Sequence, residues 1–164
     1  MKKYFSIIFG CQMNLADAER IASVLKDLGY EKTSKMEEAD LVVVIACSVR
    51  QSAVDRIFGL TPKFQKIKAK TIITGCILDF DKKKLEGKVD YILDIKDLNN
   101  WYKVLGGKKF DYANDYLNIS PERENPFIAS IPISSGCIIF ALIVPYLIQE
   151  DHLSVEIIMK FLKK

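Results

Sequence analysis

Histidine, tryptophan and cysteine are scarce in this chain of 164 residues: one, one and four. The one histidine, His152, stands between Asp151 and Leu153, where a surface position fits better than a ligand role. Four cysteines over this length do not make a disulfide scaffold. No two of them form a C-x-x-C pair, so no short metal motif is present. There is no glycine-rich phosphate loop either. The start, Met1-Lys2-Lys3-Tyr4, runs straight into a strand-like segment too short for a signal peptide's apolar core and cleavage site. Together these absences imply a reducing, cytoplasmic setting, where free thiols mean metal or catalysis more often than cross-links.

What is present is an apolar fraction of 49%, ample for a core, and a mild net charge of +3. That charge permits contact with nucleic acid without arguing for it. Lysines cluster at Lys63, Lys66, Lys68 and Lys70, and again at Lys82, Lys83 and Lys84, runs that read as solvated faces.

The first hundred residues alternate strand and helix. Short β-branched runs at 4–11, 41–47, 71–74 and 89–95 predict strands. Asn14 reads as the N-cap of a first helix ending before Gly29, with Asp17 and Glu19 in its first turn as dipole partners. Ile21, Val24, Leu25 and Leu28 recur at helical spacing on its inner face. Ser48 and Gln51 resemble a capping box opening a second helix, with Val54, Ile57 and Phe58 facing inward and Pro62 interrupting it. Arg50, at the start of that helix, suits a surface ion pair or an RNA phosphate equally. A short helix at 81–85 and a last one at 97–105 complete the pattern. This order predicts an α/β domain over 1–107, a flavodoxin- or Rossmann-like parallel sheet with helices on both faces.

Residues 108–126 read as a linker, mixing charge, Asn and Pro with little periodicity. The stretch 127–148 carries no charge, yet Pro132, Gly136 and Pro145 break it. Its dense part is shorter than the roughly 20 residues a membrane span needs, so no membrane contact is expected. A buried strand at 128–133 and an apolar loop or helix are expected instead. Ser154 then caps a final helix with Ile157, Ile158, Phe161 and Leu162 on one face.

Cys11, Cys47 and Cys76 each end one of the strand-like runs. If those strands are parallel, the three thiols emerge on one rim, at the carboxyl ends where open α/β sheets place ligands. Three thiolates there can hold an iron–sulfur cluster with one iron lacking a protein ligand. The alternative is that they are ordinary small hydrophobes at strand ends. Gly10 and Gly75, just before two of the thiols, suit a close backbone approach to a bulky ligand. The loop after the first strand lacks the Ser, Thr and Gly donors of a flavin site.

Gly10-Cys11-Gln12-Met13-Asn14, followed by Asp17-Ala18-Glu19, closely resembles the opening signature of the methylthiotransferases, in the form of the MiaB-type tRNA enzymes. Ala39-Asp40, the apolar run, Cys47-Ser48-Val49-Arg50 and Ala53 resemble the second signature. Thr74-Gly75-Cys76 with Val89-Asp90 resembles the third. The resemblance implies that Cys11, Cys47 and Cys76 ligate an auxiliary 4Fe–4S cluster that takes part in sulfur insertion. It implies a family reaction that installs a methylthio group on a modified adenosine beside the anticodon of a tRNA, using S-adenosylmethionine and a second cluster.

Two departures stand out. The family usually has Asn-Thr before the second cysteine, where this chain has Ile45-Ala46. Family members also continue into a radical S-adenosylmethionine barrel that opens on C-x-x-x-C-x-x-C. Residues 131–137 look like the approach to that triplet, with Cys137 as a remnant of its first cysteine. Ile143-Val144-Pro145-Tyr146 looks like the segment after it, but no second or third cysteine lies between. Residues 127–164 are therefore expected to be the degenerate start of a barrel in a truncated member of the family, inactive alone unless a separate chain supplies the rest. The other expectation is a non-catalytic iron–sulfur or protein-interaction module derived from that family.

Overall fold

The computed structural model describes residues 1–47, 51–108, 115–123, 125, 127–130 and 132. Five parallel strands form one sheet in the order β2-β1-β3-β4-β5. They are β1 (Lys2–Phe9), β2 (Tyr30–Lys32), β3 (Leu41–Cys47), β4 (Lys70–Cys76) and β5 (Tyr91–Ile92). The helices are α1 (Gln12–Asp27), α2 (Gln51–Phe64), α3 (Asp79–Leu85) and α4 (Tyr102–Leu105).

β3, the central strand, is buried at every position, which is why its sequence is an unbroken apolar run rather than an alternation. Alternate residues feed two cores. Leu41, Val43 and Ile45 pack with Ile21, Val24 and Leu25 of α1 and with Leu98 and Trp101. Val42, Val44 and Ala46 pack with Ile57 and Phe64 of α2 and Leu85 of α3. Helices thus cover both faces, as expected. The strand order reverses between β1 and β3, the kind of switch point at whose carboxyl ends open α/β sheets bind ligands.

Several elements differ from expectation. β2 is a three-residue edge strand with only Tyr30 buried, too short to leave a periodic signal. The fourth expected strand, 89–95, shrinks to Tyr91–Ile92. At one end the Asp90 carboxylate accepts from the Thr71 backbone N–H at 2.7 Å and its hydroxyl at 2.8 Å. At the other, Asp94 accepts from the Lys96 N–H and starts a 3-10 segment, Ile95–Asn100, in place of the first half of the last helix. Trp101 then anchors α4, its indole N–H donating to the Asp94 carbonyl at 3.2 Å.

α1 begins earlier than read. Its N-cap is Cys11, not Asn14, so Asp17 and Glu19 fall beyond the first turn and Asp17 is buried. α2 runs on through Pro62. A proline leaves the carbonyl four residues back without its helical donor. Here that carbonyl belongs to Phe58, and the Thr61 hydroxyl donates to it at 2.8 Å. Ser48 and Arg50 lie outside the described residues.

The stretch read as a linker contributes to the core. Tyr116 and Ile119 are buried among the α1-side residues. The Glu122 N–H donates to the Glu19 carbonyl at 2.9 Å, and Lys26 pairs with the Glu122 carboxylate at 2.7 Å. Residues 128–130 form no strand and Ile128 is exposed, while residue 131 lies outside the description. Residues 133–164 lie outside the description, with Cys137, His152 and the expected final helix. No helix among the described residues is long and apolar enough to cross a membrane.

Candidate metal centre at the carboxyl edge of the sheet

Because β1, β3 and β4 are parallel, the cysteines that end or follow them share one edge. Cys47 and Cys76 are register partners on adjacent strands, so their side chains leave the same face. By strand alternation that is the α1 face, and Cys11 stands at the start of α1. Cys11 is exposed, Cys76 half-buried and Cys47 buried, and none is in a disulfide. Among the described residues no three Cys, His, Asp or Glu side chains are gathered into a group able to hold a metal ion. The structure therefore brings the three positions to one edge and pairs two of them. It does not draw the three sulfurs together.

Asn14 lies fully buried between these strand ends. Its Oδ1 accepts from the Cys11 backbone N–H at 3.0 Å and from the Cys11 thiol at 3.4 Å. Its Nδ2 donates to the Ala46 carbonyl at 3.0 Å, one residue before Cys47. One amide thus uses both ends, and reversing it would set acceptor against acceptor.

The two glycines make room for this amide and for the end of β3. A Cβ on Gly10 would collide with the Asn14 side chain. A Cβ on Gly75 would meet the Ala46 carbonyl at 2.5 Å and the Asn14 Nδ2 at 3.3 Å, and Gly75 has φ +96°. The close approach that the structure shows is to neighbouring protein. The Ile45-Ala46 departure also finds a structural role: their side chains fill the two opposite cores.

The donor set is made of thiols alone, which suits zinc, copper(I) or iron–sulfur centres and not hard cations. In donor type and edge placement the residues fit an iron–sulfur cluster. Part of the first lysine run lies elsewhere. Lys68, Lys70 and Lys88 line a cleft of about 290 Å³ around the start of β4, at the opposite edge. A second cleft, about 390 Å³, runs between β1 and residues 125–130 and meets the cysteine edge only through Gln12. Sequence reasoning missed Asn14 as a brace. The available signal was an amide three residues after a cysteine, the spacing of a capping box with Cys at the N-cap and Asn at N3.

A family model described as "Uncharacterized protein family UPF0004" matches residues 3–94, which hold all of the sheet but Lys2, with Cys11, Cys47 and Cys76. A tRNA-2-methylthio-N(6)-dimethylallyladenosine synthase of Dictyoglomus thermophilum is 38% identical over 169 residues, covering 90% of this chain and 38% of that protein. A synthase of the same name from a Sulfurovum species is 34% identical over 149 residues, covering 84% of this chain and 35% of its own length. The one from Aquifex aeolicus is 30% identical over 156 residues, covering 83% and 36%. The chain spans little more than a third of the length of these curated relatives.

Proposed function

Since the chain belongs to the family described as Uncharacterized protein family UPF0004 and is a MiaB-like amino-terminal domain, we propose that it carries the auxiliary 4Fe–4S cluster of a tRNA methylthiotransferase, on Cys11, Cys47 and Cys76. The observation that carries this reading is the arrival of three cysteines at one edge beside the β1/β3 reversal, Cys47 and Cys76 ending β3 and β4 and Cys11 following β1. In the reaction the resemblance implies, such a cluster presents an iron free of protein thiolate and takes part in sulfur insertion into a modified adenosine beside the anticodon.

The chain's own contribution is binding and orientation. Cys47 and Cys76 form the buried side of the site, held by the β3–β4 ladder. Cys11 forms its exposed side, on the start of α1. Burial of Cys47 and half-burial of Cys76 limit access of water and oxidants to that side. The substrate class is tRNA and the setting the cytoplasm, as the relatives' chemistry suggests. The second reading, a non-catalytic iron–sulfur or interaction module, is favoured by one fact. Cys137 is the only cysteine where the barrel triplet would stand.

The test is to reconstitute the chain anaerobically with iron and sulfide, reduce it with S-adenosylmethionine and measure 5′-deoxyadenosine. The expected result is bound iron without 5′-deoxyadenosine. Multiple turnovers would reveal a second cluster site and overturn the one-cluster reading. The DNA immediately downstream separates the two readings. Sequence for the rest of a barrel favours the enzyme, and an unrelated gene favours the module.

A further inference from the structure

We propose that Asn14 is the positioning residue of the cysteine edge. It fixes the Cys11 turn to the end of β3 so that both thiols serve one metal centre. This inference rests on the ligand reading above.

The need for such a brace follows from the topology. The β1–β3 ladder ends at Phe9 and Ala46. Beyond that point the chain after β1 turns into α1 on one face, while the chain after β3 leads to α2 on the other. No strand pairing holds Cys11 to Cys47 across that divergence. Asn14 does, with 3.0 Å bonds to the Cys11 N–H and the Ala46 carbonyl.

The glycines are the second observation. Asn14 is 0% exposed and bonded at both ends, so it cannot swing aside to admit a neighbouring Cβ. Gly10 lies directly against its side chain, with even the Asn14 Cβ only 2.9 Å from where a Gly10 Cβ would stand. Gly75 closes the other side. Gly10, Asn14 and Gly75 therefore act as one unit, in which adding a methyl at Gly10 has the consequence of removing the amide.

The experiment is a double-mutant cycle on the full chain with cobalt(II) as the probe. It compares wild type, Asn14→Ala, Gly10→Ala and the double variant. Leu85→Ala, in the α2-side core, is the control for general destabilisation. The readouts are cobalt affinity, the thiolate-to-cobalt charge-transfer intensity per bound ion, and hydrogen exchange at the Cys11 amide. Asn14→Ala should weaken cobalt binding about 10- to 100-fold, as loss of a ligand-orienting partner does. It should also lower the intensity per ion as Cys11 drops out, and expose the Cys11 amide. Gly10→Ala should do the same and the double variant no worse, because both changes remove one brace. Leu85→Ala should lower the melting temperature and leave the intensity per ion unchanged. If Asn14→Ala does not fold, Gly10→Ala is read by the same criteria. Wild-type intensity and affinity in Asn14→Ala or Gly10→Ala, or fully additive losses in the double variant, would overturn the inference. Wild type that binds neither cobalt nor iron would sink the ligand reading itself, a distinguishable failure.

Discussion

Tyr4 ties the stability of the fold to pH through one buried hydroxyl. Burial, reinforced by the Glu122 charge, pushes its pKa up from 10.0 to about 12. A folded pKa above the unfolded one means the folded state holds the proton longer. The contribution is complete below the unfolded value and is lost as pH rises through the folded one. Two units correspond to roughly 2–3 kcal/mol. Lys32 works in the opposite direction, since partial desolvation lowers its pKa and its loss of charge relieves a cost. Comparing wild type with Tyr4→Phe cancels the lysine. Urea midpoints should fall more steeply above about pH 10 in wild type than in Tyr4→Phe, and equal slopes would contradict the assignment. Gly75→Ala should cost about 1–3 kcal/mol, because it places a side chain at φ +96° against the Ala46 carbonyl. At this scale the cysteines were legible, each ending an apolar run. Asn14 was not, because an Asn before a helical stretch reads equally well as a cap, and only β3, thirty-two residues away, shows what its amide holds.

Elements were legible where one physical cause dominated and illegible where a side chain took over a backbone role. β3 and α1 announced themselves by an apolar run and a 3.6-residue stripe. The end of α2 did not, since Pro62 signals a break and the Thr61 hydroxyl cancels it. Thr61→Val should therefore cost about 1 kcal/mol and fray α2 from Phe58 onward, seen as faster amide exchange in the last turn. β5 was overread because Asp90 and Asp94 bond to backbone at both ends and look like ordinary loop residues in sequence. The 115–119 stretch was read as a linker for want of periodicity, yet Ile119 is 3% exposed. Ile119→Ala should lower stability by about 2–5 kcal/mol, a core-sized loss that a true linker position would not show.

At the scale of the whole molecule, a doubly wound sheet gives a chain of this size two cores and one edge that Cys11, Cys47 and Cys76 share. The covered faces explain why strand sequences are apolar without alternation. The reversal of strand order puts Cys11, after β1, and Cys47, at the end of β3, on either side of the switch point. Exposed ion pairs such as Lys3–Glu38 add little to this frame. The central claim is that Cys11, Cys47 and Cys76 act together as the ligands of one cluster. The direct measurement is iron and sulfide per chain after anaerobic reconstitution, in wild type, in each single Cys→Ala variant at these three positions, and in Cys137→Ala. The account predicts about four irons in wild type and in Cys137→Ala, with a large loss in each of the other three. Wild type without iron, or a Cys47→Ala variant that keeps its full complement, would contradict it.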